Sequence, residues 1–204
     1  MSRRLLKHRV DKSTIYLNSF KNNFLCWTES YCEWLFALMQ EFNDSVIAYN
    51  SQPFTLEYEK VDGGFAEYCV DFLVQRNNGL FAYEIKSGKY GSKERIRAEY
   101  EHIKNYLLEH HNLRFEVVFD DDFCPAHTAE NLKFLYKYRW LSTDLINNFN
   151  LSKHMGSEFY LGELREFVAK KHLPNVVPFG LVAHNKAVFD FSVKLTNETL
   201  LKVA

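Results

Sequence analysis

The chain has 204 residues, of which 47% are hydrophobic and 16% aromatic, with a formal net charge of -1. That is enough apolar material for one or two cored domains and no more. The near-zero charge excludes a protein that holds nucleic acid by bulk basicity, because affinity for DNA depends largely on cationic contacts to phosphate.

In chain order, the first feature is a short basic arm, Arg3, Arg4, Lys7, His8, Arg9 and Lys12. It has no apolar segment long enough for a signal peptide, and no stretch elsewhere could span a bilayer, so a cytoplasmic location without membrane attachment is expected. From Tyr31 to Phe42 the residues Tyr31, Trp34, Leu35, Leu38, Met39 and Phe42 recur at helical spacing and predict a helix with that stripe in the core. Glu29 and Glu33 fall opposite the stripe. Ser30-x-x-Glu33 also reads as a capping box, in which the glutamate serves the helix end rather than any chemistry.

An alternating strand is expected at Phe54–Tyr58, then a hairpin: Val70-Asp71-Phe72-Leu73-Val74, a turn at Asn77-Asn78-Gly79, and Ala82-Tyr83-Glu84-Ile85-Lys86. A helix over about Ser92–Glu109 carries the stripe Ile96, Tyr100, Ile103 and Leu107, with the basic residues Lys89, Lys93, Arg95 and Arg97 near its start. The strand Phe115–Phe119 then runs into Asp120-Asp121-Asp122-Phe123-Cys124-Pro125, a charged, proline-ended edge that divides the chain into domains 1–125 and 126–204. Beyond it, helices near Thr128–Tyr138, Thr143–Phe149 and Glu158–Lys171, strands at Val176–Phe179 and Leu181–Ala183, and a turn at His184-Asn185 into Ala187–Val193 suggest a winged-helix-like α+β module. Its third helix mixes Glu158, Glu163 and Glu166 with Arg165, Lys170 and Lys171, so DNA binding and protein docking stay equally open. Cys26, Cys32, Cys69 and Cys124 show no paired short spacing, and the eight histidines are scattered, so neither a zinc module nor a disulfide framework is expected.

The hairpin carries the chemistry. Strand alternation aims Glu84 and Lys86 at one sheet face with Ile85 behind. A buried acid beside an acid and a lysine needs a counter-charge, and a hard divalent cation supplies one. A surface ion pair between Glu84 and Lys86 is the simpler alternative.

The order Asp, hairpin, Glu-x-Lys resembles the active-site signature of the PD-(D/E)xK nucleases, with Val70 in place of the usual proline. The succession from Glu41-Phe42 through Gln52-Pro53 and Phe54–Tyr58 into Asp71-Phe72-Leu73-Val74 is similar to the TnsA endonuclease family, the nuclease subunits of heteromeric transposases. Weaker similarity extends to Asn131–Tyr136 and Asp190–Leu200. The resemblance matches the family's catalytic glutamate to Glu33, its aspartate to Asp71 and its lysine to Lys86. Where the best-known member has glutamine, this chain has Glu84, the ordinary nuclease acid.

What the resemblance implies is an α/β fold with a restriction-endonuclease-like mixed-sheet core. The implied activity is a Mg²⁺-dependent DNA endonuclease, with Mn²⁺ able to substitute, that nicks the 5′ ends of a transposon during cut-and-paste DNA transposition and recombination. Asp71, Glu84, the Ile85 carbonyl and Glu33 are the expected metal ligands, with Lys86 acting on the attacking water. Gln52 and Glu29 are supporting residues, and Lys89 and Lys93 are candidate DNA contacts. The implied partners are transposon-end DNA, a TnsB-like DDE-type recombinase and a TnsC-like AAA+ ATPase, in a bacterial cytoplasm with association to the nucleoid when active. A restriction or repair nuclease of the same superfamily, and a non-catalytic assembly factor, are the alternative readings.

Overall fold

A computed structural model describes residues 14–60, 63–89, 92–125 and 127–204. The basic arm from Arg3 to Lys12 lies outside them. The chain divides into two units, Met1–Phe123 and Cys124–Ala204.

In the first unit the elements are β1 (Ile15–Ser19), β2 (Phe24–Thr28), α1 (Tyr31–Phe42), β3 (Val46–Ser51), β4 (Thr55–Glu59), β5 (Phe65–Cys69), β6 (Phe72–Arg76), β7 (Gly79–Lys86), α2 (Lys93–Glu99), α3 (Glu101–His111), β8 (Arg114–Phe119) and α4 (Asp120–Phe123). Helix α1 starts where Ser30 caps it, its Oγ accepting from the Glu33 amide at 3.2 Å. The turn between β6 and β7 pairs Arg76 with Gly79, and Gly79 holds φ at 132°, a backbone that a side chain would strain.

The central sheet has the order β3-β6-β7-β8. Its first two pairings are antiparallel and β7 with β8 is parallel. A parallel pair needs a crossover, and α2 with α3 provides it. The single helix expected from Ser92 is broken at Tyr100, and Asn112, left-handed at φ 49°, closes the second segment. Under α3, Ile103 and Leu107 bury with Val70, Ala82, Leu113 and Phe115. On the other face Phe36 of α1 packs on Phe72 and Tyr83, with ring centroids 5.0 and 5.1 Å apart. This mixed sheet with helices on both faces is the α/β core expected.

Helix α1 has the expected bounds but not the expected exposure. Glu33, Gln40 and Glu41 are buried, while Tyr31 is 47% exposed. The cause is the β1–β2 hairpin, which the sequence pattern did not disclose and which packs against α1. Glu41, fully buried, accepts from the Ser19 and Tyr49 hydroxyls at 2.5 Å each and from the Phe20 and Lys21 amides at 3.0 and 3.3 Å. One carboxylate thus ties the hairpin to the helix and to β3. A second two-stranded sheet joins β4 to β5. Only β4 was expected.

The second unit contains α5 (Thr128–Tyr136), α6 (Thr143–Asn147), α7 (Leu151–Met155), β9 (Glu158–Tyr160), α8 (Leu161–Lys170), α9 (Val177–Ala183), β10 (Ala187–Val188) and β11 (Leu200–Val203). The strands form an antiparallel sheet of order β10-β11-β9. Three expectations need correction. Val176–Phe179 and Leu181–Ala183 are not two strands but one helix, α9, with Pro178 in its first turn where no amide is needed. A short apolar run does not distinguish a buried helix from a strand. Glu158–Tyr160 is a strand, with α8 beginning only at Leu161, and Ala187–Val193 is a strand only over its first two residues. The segment after it is held by Asn131, whose amide donates to the Phe191 and Val193 carbonyls at 2.9 and 2.7 Å.

Helix α9 carries no charged residue, and six of its seven residues are buried. It therefore offers nothing to a DNA groove. His184, which follows it, sits below its ordinary value of 6.5, because burial and the neighbouring Arg139 both disfavour its charge. Below pH 6.5 the unfolded chain takes up this proton before the folded one does, so the unit should lose stability as pH falls through that range. His184→Gln should flatten the dependence in thermal unfolding between pH 7 and pH 5. An unchanged slope would remove His184 from the account. Among the described residues no helix is long and apolar enough to cross a membrane.

Candidate active site

Asp71 stands immediately before β6. Phe72 pairs with Tyr83 in the hairpin register, so one step back sets Asp71 opposite Glu84. The Ile85 amide donates to Asp71 Oδ2 at 2.8 Å, and the Asp71 carbonyl accepts from the Gln52 amide, also at 2.8 Å. Gln52 is buried with φ at 43°, a left-handed conformation at the end of β3. Its backbone therefore fixes Asp71.

Glu84 is buried at 5% exposure on the sheet face that carries α3. Its Oε1 accepts from Lys86 Nζ at 2.5 Å and from the Tyr100 hydroxyl at 2.9 Å, and its Oε2 accepts from the Tyr68 hydroxyl. Lys86 also lies 5.2 Å from the centre of the Tyr100 ring. Burial alone would lower the Lys86 ammonium, but the Glu84 carboxylate and the Tyr100 hydroxyl carry it above its ordinary value. Burial, then the charge of Glu84, pushes the Tyr100 hydroxyl up to about 12, and the same two causes raise Tyr68. Neither tyrosine was singled out as a site residue. Tyr100 reads in sequence as one more member of an apolar helical stripe, and Tyr68 lies on a strand that no pattern marked.

Glu33 is buried and engaged by its own helix cap. Its oxygens accept from the Ser30 hydroxyl at 2.7 Å and the Glu29 amide at 2.9 Å. The capping role read from Ser30-x-x-Glu33 is thus in place, reaching one residue further back than usual. Its charge nevertheless reaches the hairpin. Burial first, then the Glu84 and Glu33 carboxylates, hold Asp71 well above the ordinary carboxylate range, only partly offset by the Ile85 amide and Lys86.

Asp71 and Glu84, with the Glu33 charge acting on Asp71, gather acidic groups at the hairpin that a hard divalent cation would neutralise. That donor chemistry fits Mg²⁺. Among the described residues no three His, Cys, Asp or Glu side chains close around one point as they stand. Asp71 and Glu84 face each other across the hairpin, and Glu33 is joined to them by charge.

Asp120 frames the site from outside. Its carboxylate accepts from the Gly88 amide at 2.8 Å, the Cys32 thiol at 3.1 Å and the Ser87 hydroxyl at 3.2 Å. It thereby binds the residues after Lys86 to the helix turn that holds Glu33. Read from sequence, this acidic run was only a domain edge. Of the two candidate DNA contacts, Lys89 is exposed, whereas Lys93 pairs with Asp121 and Asp122 at 2.9 and 2.6 Å.

No curated protein matches the chain. A family model does: residues 43–120 match the family described as TnsA-like endonuclease N terminal. The matched stretch runs from the end of α1 into the start of α4, so it contains Gln52, Asp71, Glu84, Lys86 and Asp120 but not Glu33. Over that segment, with its hairpin of opposed acids and paired lysine, the chain is similar to the TnsA-like endonuclease family.

Proposed function

We propose that this protein is the DNA-nicking subunit of a heteromeric transposase of the Tn7 type, hydrolysing one phosphodiester bond at each 5′ end of the element. The observation that carries the reading is the convergence of Asp71, Glu84 and Lys86 on the β6–β7 hairpin within the TnsA-like segment. Asp71, Glu84, the Ile85 carbonyl and Glu33 are the residues that would hold Mg²⁺ or Mn²⁺. The bound ion would polarise the phosphoryl oxygen and make hydroxide available near neutral pH. Lys86, protonated as in its pair with Glu84, orients the attacking water, while Gln52 and Asp120 keep the two strand ends in register. The oxygen of that water bonds to phosphorus as the ester bond to the leaving oxygen breaks, and the leaving oxygen takes up a proton.

With a net charge of -1, the chain depends on partners to bring the DNA. A TnsB-like recombinase that cuts the 3′ ends and a TnsC-like ATPase are the ones the family implies. The test is a strand-resolved assay on labelled transposon-end duplex with the recombinase present. Nicks confined to the 5′-end strand that need Mg²⁺ and Asp71 are expected. Nicking that survives Asp71→Ala would overturn the assignment.

Tyr68 and Tyr100 are positioning residues for Glu84. Removing a hydrogen bond to a ligating carboxylate typically costs about 10–100-fold in metal affinity or activity. Tyr68→Phe and Tyr100→Phe keep the ring and delete only the hydroxyl, so each should weaken Mn²⁺ binding by roughly that range in a calorimetric titration. Affinities equal to the parent's would mean that Lys86 alone sets Glu84.

A further inference from the structure

We propose that Lys93 and Arg97 of α2 form a surface for DNA phosphates, which Asp121 and Asp122 cover as displaceable counter-ions. The proposal rests on the nuclease reading above for the identity of the polyanion.

Four observations carry it. Lys93 Nζ lies 2.9 Å from Asp121 and 2.6 Å from Asp122, and Arg97 Nη2 lies 3.5 Å from Asp122. Both cationic heads are aimed by the same ring, standing 5.3 and 5.1 Å from the centre of Phe119. The acids are open to water, at 55% and 48% exposure, so their pairs with Lys93 and Arg97 are weak and salt-sensitive. Finally, the patch abuts the candidate site: a Cβ added to Gly88, two residues after Lys86, would stand 2.2 Å from Asp121 Oδ1.

A phosphodiester offers what a carboxylate offers, one negative charge shared over two oxygens. It can therefore take the place of either aspartate at the ammonium and the guanidinium. Asp120, anchored by Gly88, Ser87 and Cys32, holds the run in position so that its two outer acids cover the cations. Of the remaining charges of α2, Arg95 pairs with Glu99 at 3.4 Å within the helix, while Glu94 accepts from the Ser92 hydroxyl at 2.7 Å and adds a third, solvent-exposed acid whose charge reaches Lys93 and Arg97. The patch gives the end of the catalytic hairpin a place to receive backbone phosphates, and its built-in acids lower affinity for DNA that no partner has delivered.

The test is binding of a fluorescently labelled duplex by the full chain over a ladder of salt concentrations. Asp121→Asn with Asp122→Asn should bind more tightly than the parent, and its logarithmic salt slope should steepen by about 2, near 0.9 for each added phosphate contact. Adding Lys93→Gln and Arg97→Gln to that variant should return both affinity and slope to the parental values. Exposed acids on other elements, Glu57→Gln with Glu109→Gln, serve as a control for net charge alone. An unchanged slope in the double aspartate variant overturns the proposal. So does a gain that survives loss of Lys93 and Arg97, or one that the control pair reproduces. Failure of the nuclease reading would show separately, as nicking that does not depend on Asp71.

Discussion

Lys86→Ala should lower the rate of strand nicking by about 10²–10⁴-fold, the range typical for losing a group that handles the proton or orientation of the attacking water. The same change should leave Mn²⁺ affinity undiminished, because it removes a cation that competes for Glu84 at 2.5 Å. That split separates a role in chemistry from a role in folding or metal binding. Single-turnover nicking and a calorimetric titration on the same preparation read both halves. A variant that nicks at the parental rate would remove Lys86 from the mechanism, and one that loses metal affinity as well would make it a structural residue.

The largest stability effect is expected at Glu41. Its fully buried carboxylate satisfies two hydroxyls and two backbone amides at the junction of α1, the β1–β2 hairpin and β3. Each buried donor left without an acceptor costs about 1–3 kcal/mol, so Glu41→Ala should destabilise the first unit by roughly 3–5 kcal/mol. Glu41→Gln, which keeps one acceptor, should cost less. Urea unfolding of both variants measures the difference, and a loss under about 1 kcal/mol for Glu41→Ala would show that solvent replaces the carboxylate.

What could be read from the sequence was what is local. The β6–β7 hairpin announces itself through alternation, a two-asparagine turn and Gly79, and so the pairing of Glu84 with Lys86 on one face followed directly. Helix α1 was legible for the same reason, through its 3.6-residue period. The burial of Glu33 and Glu41 was not, because it depends on β1 and β2, short strands whose exposed outer residues break the alternating pattern. Tyr68 and Tyr100 escaped notice because they reach Glu84 from another sheet and from a helix break, and chain spacing says nothing about either approach. Asp120 looked like solvated charge at a boundary. Only the fold shows that it fastens the loop after Lys86 to the first turn of α1. In the second unit, the valine-rich run at Val176–Ala183 satisfied strand and helix equally, and burial on all sides with Pro178 in the first turn decided for the helix.

The most direct test of the central claim, that Asp71 and Glu84 form a divalent-metal site, is a calorimetric titration of Mn²⁺ into the purified protein and into Asp71→Ala, each with and without duplex DNA. The account predicts binding by the parent that disappears in the variant under both conditions. No binding by the parent even with DNA, or equal binding by parent and variant, would contradict it.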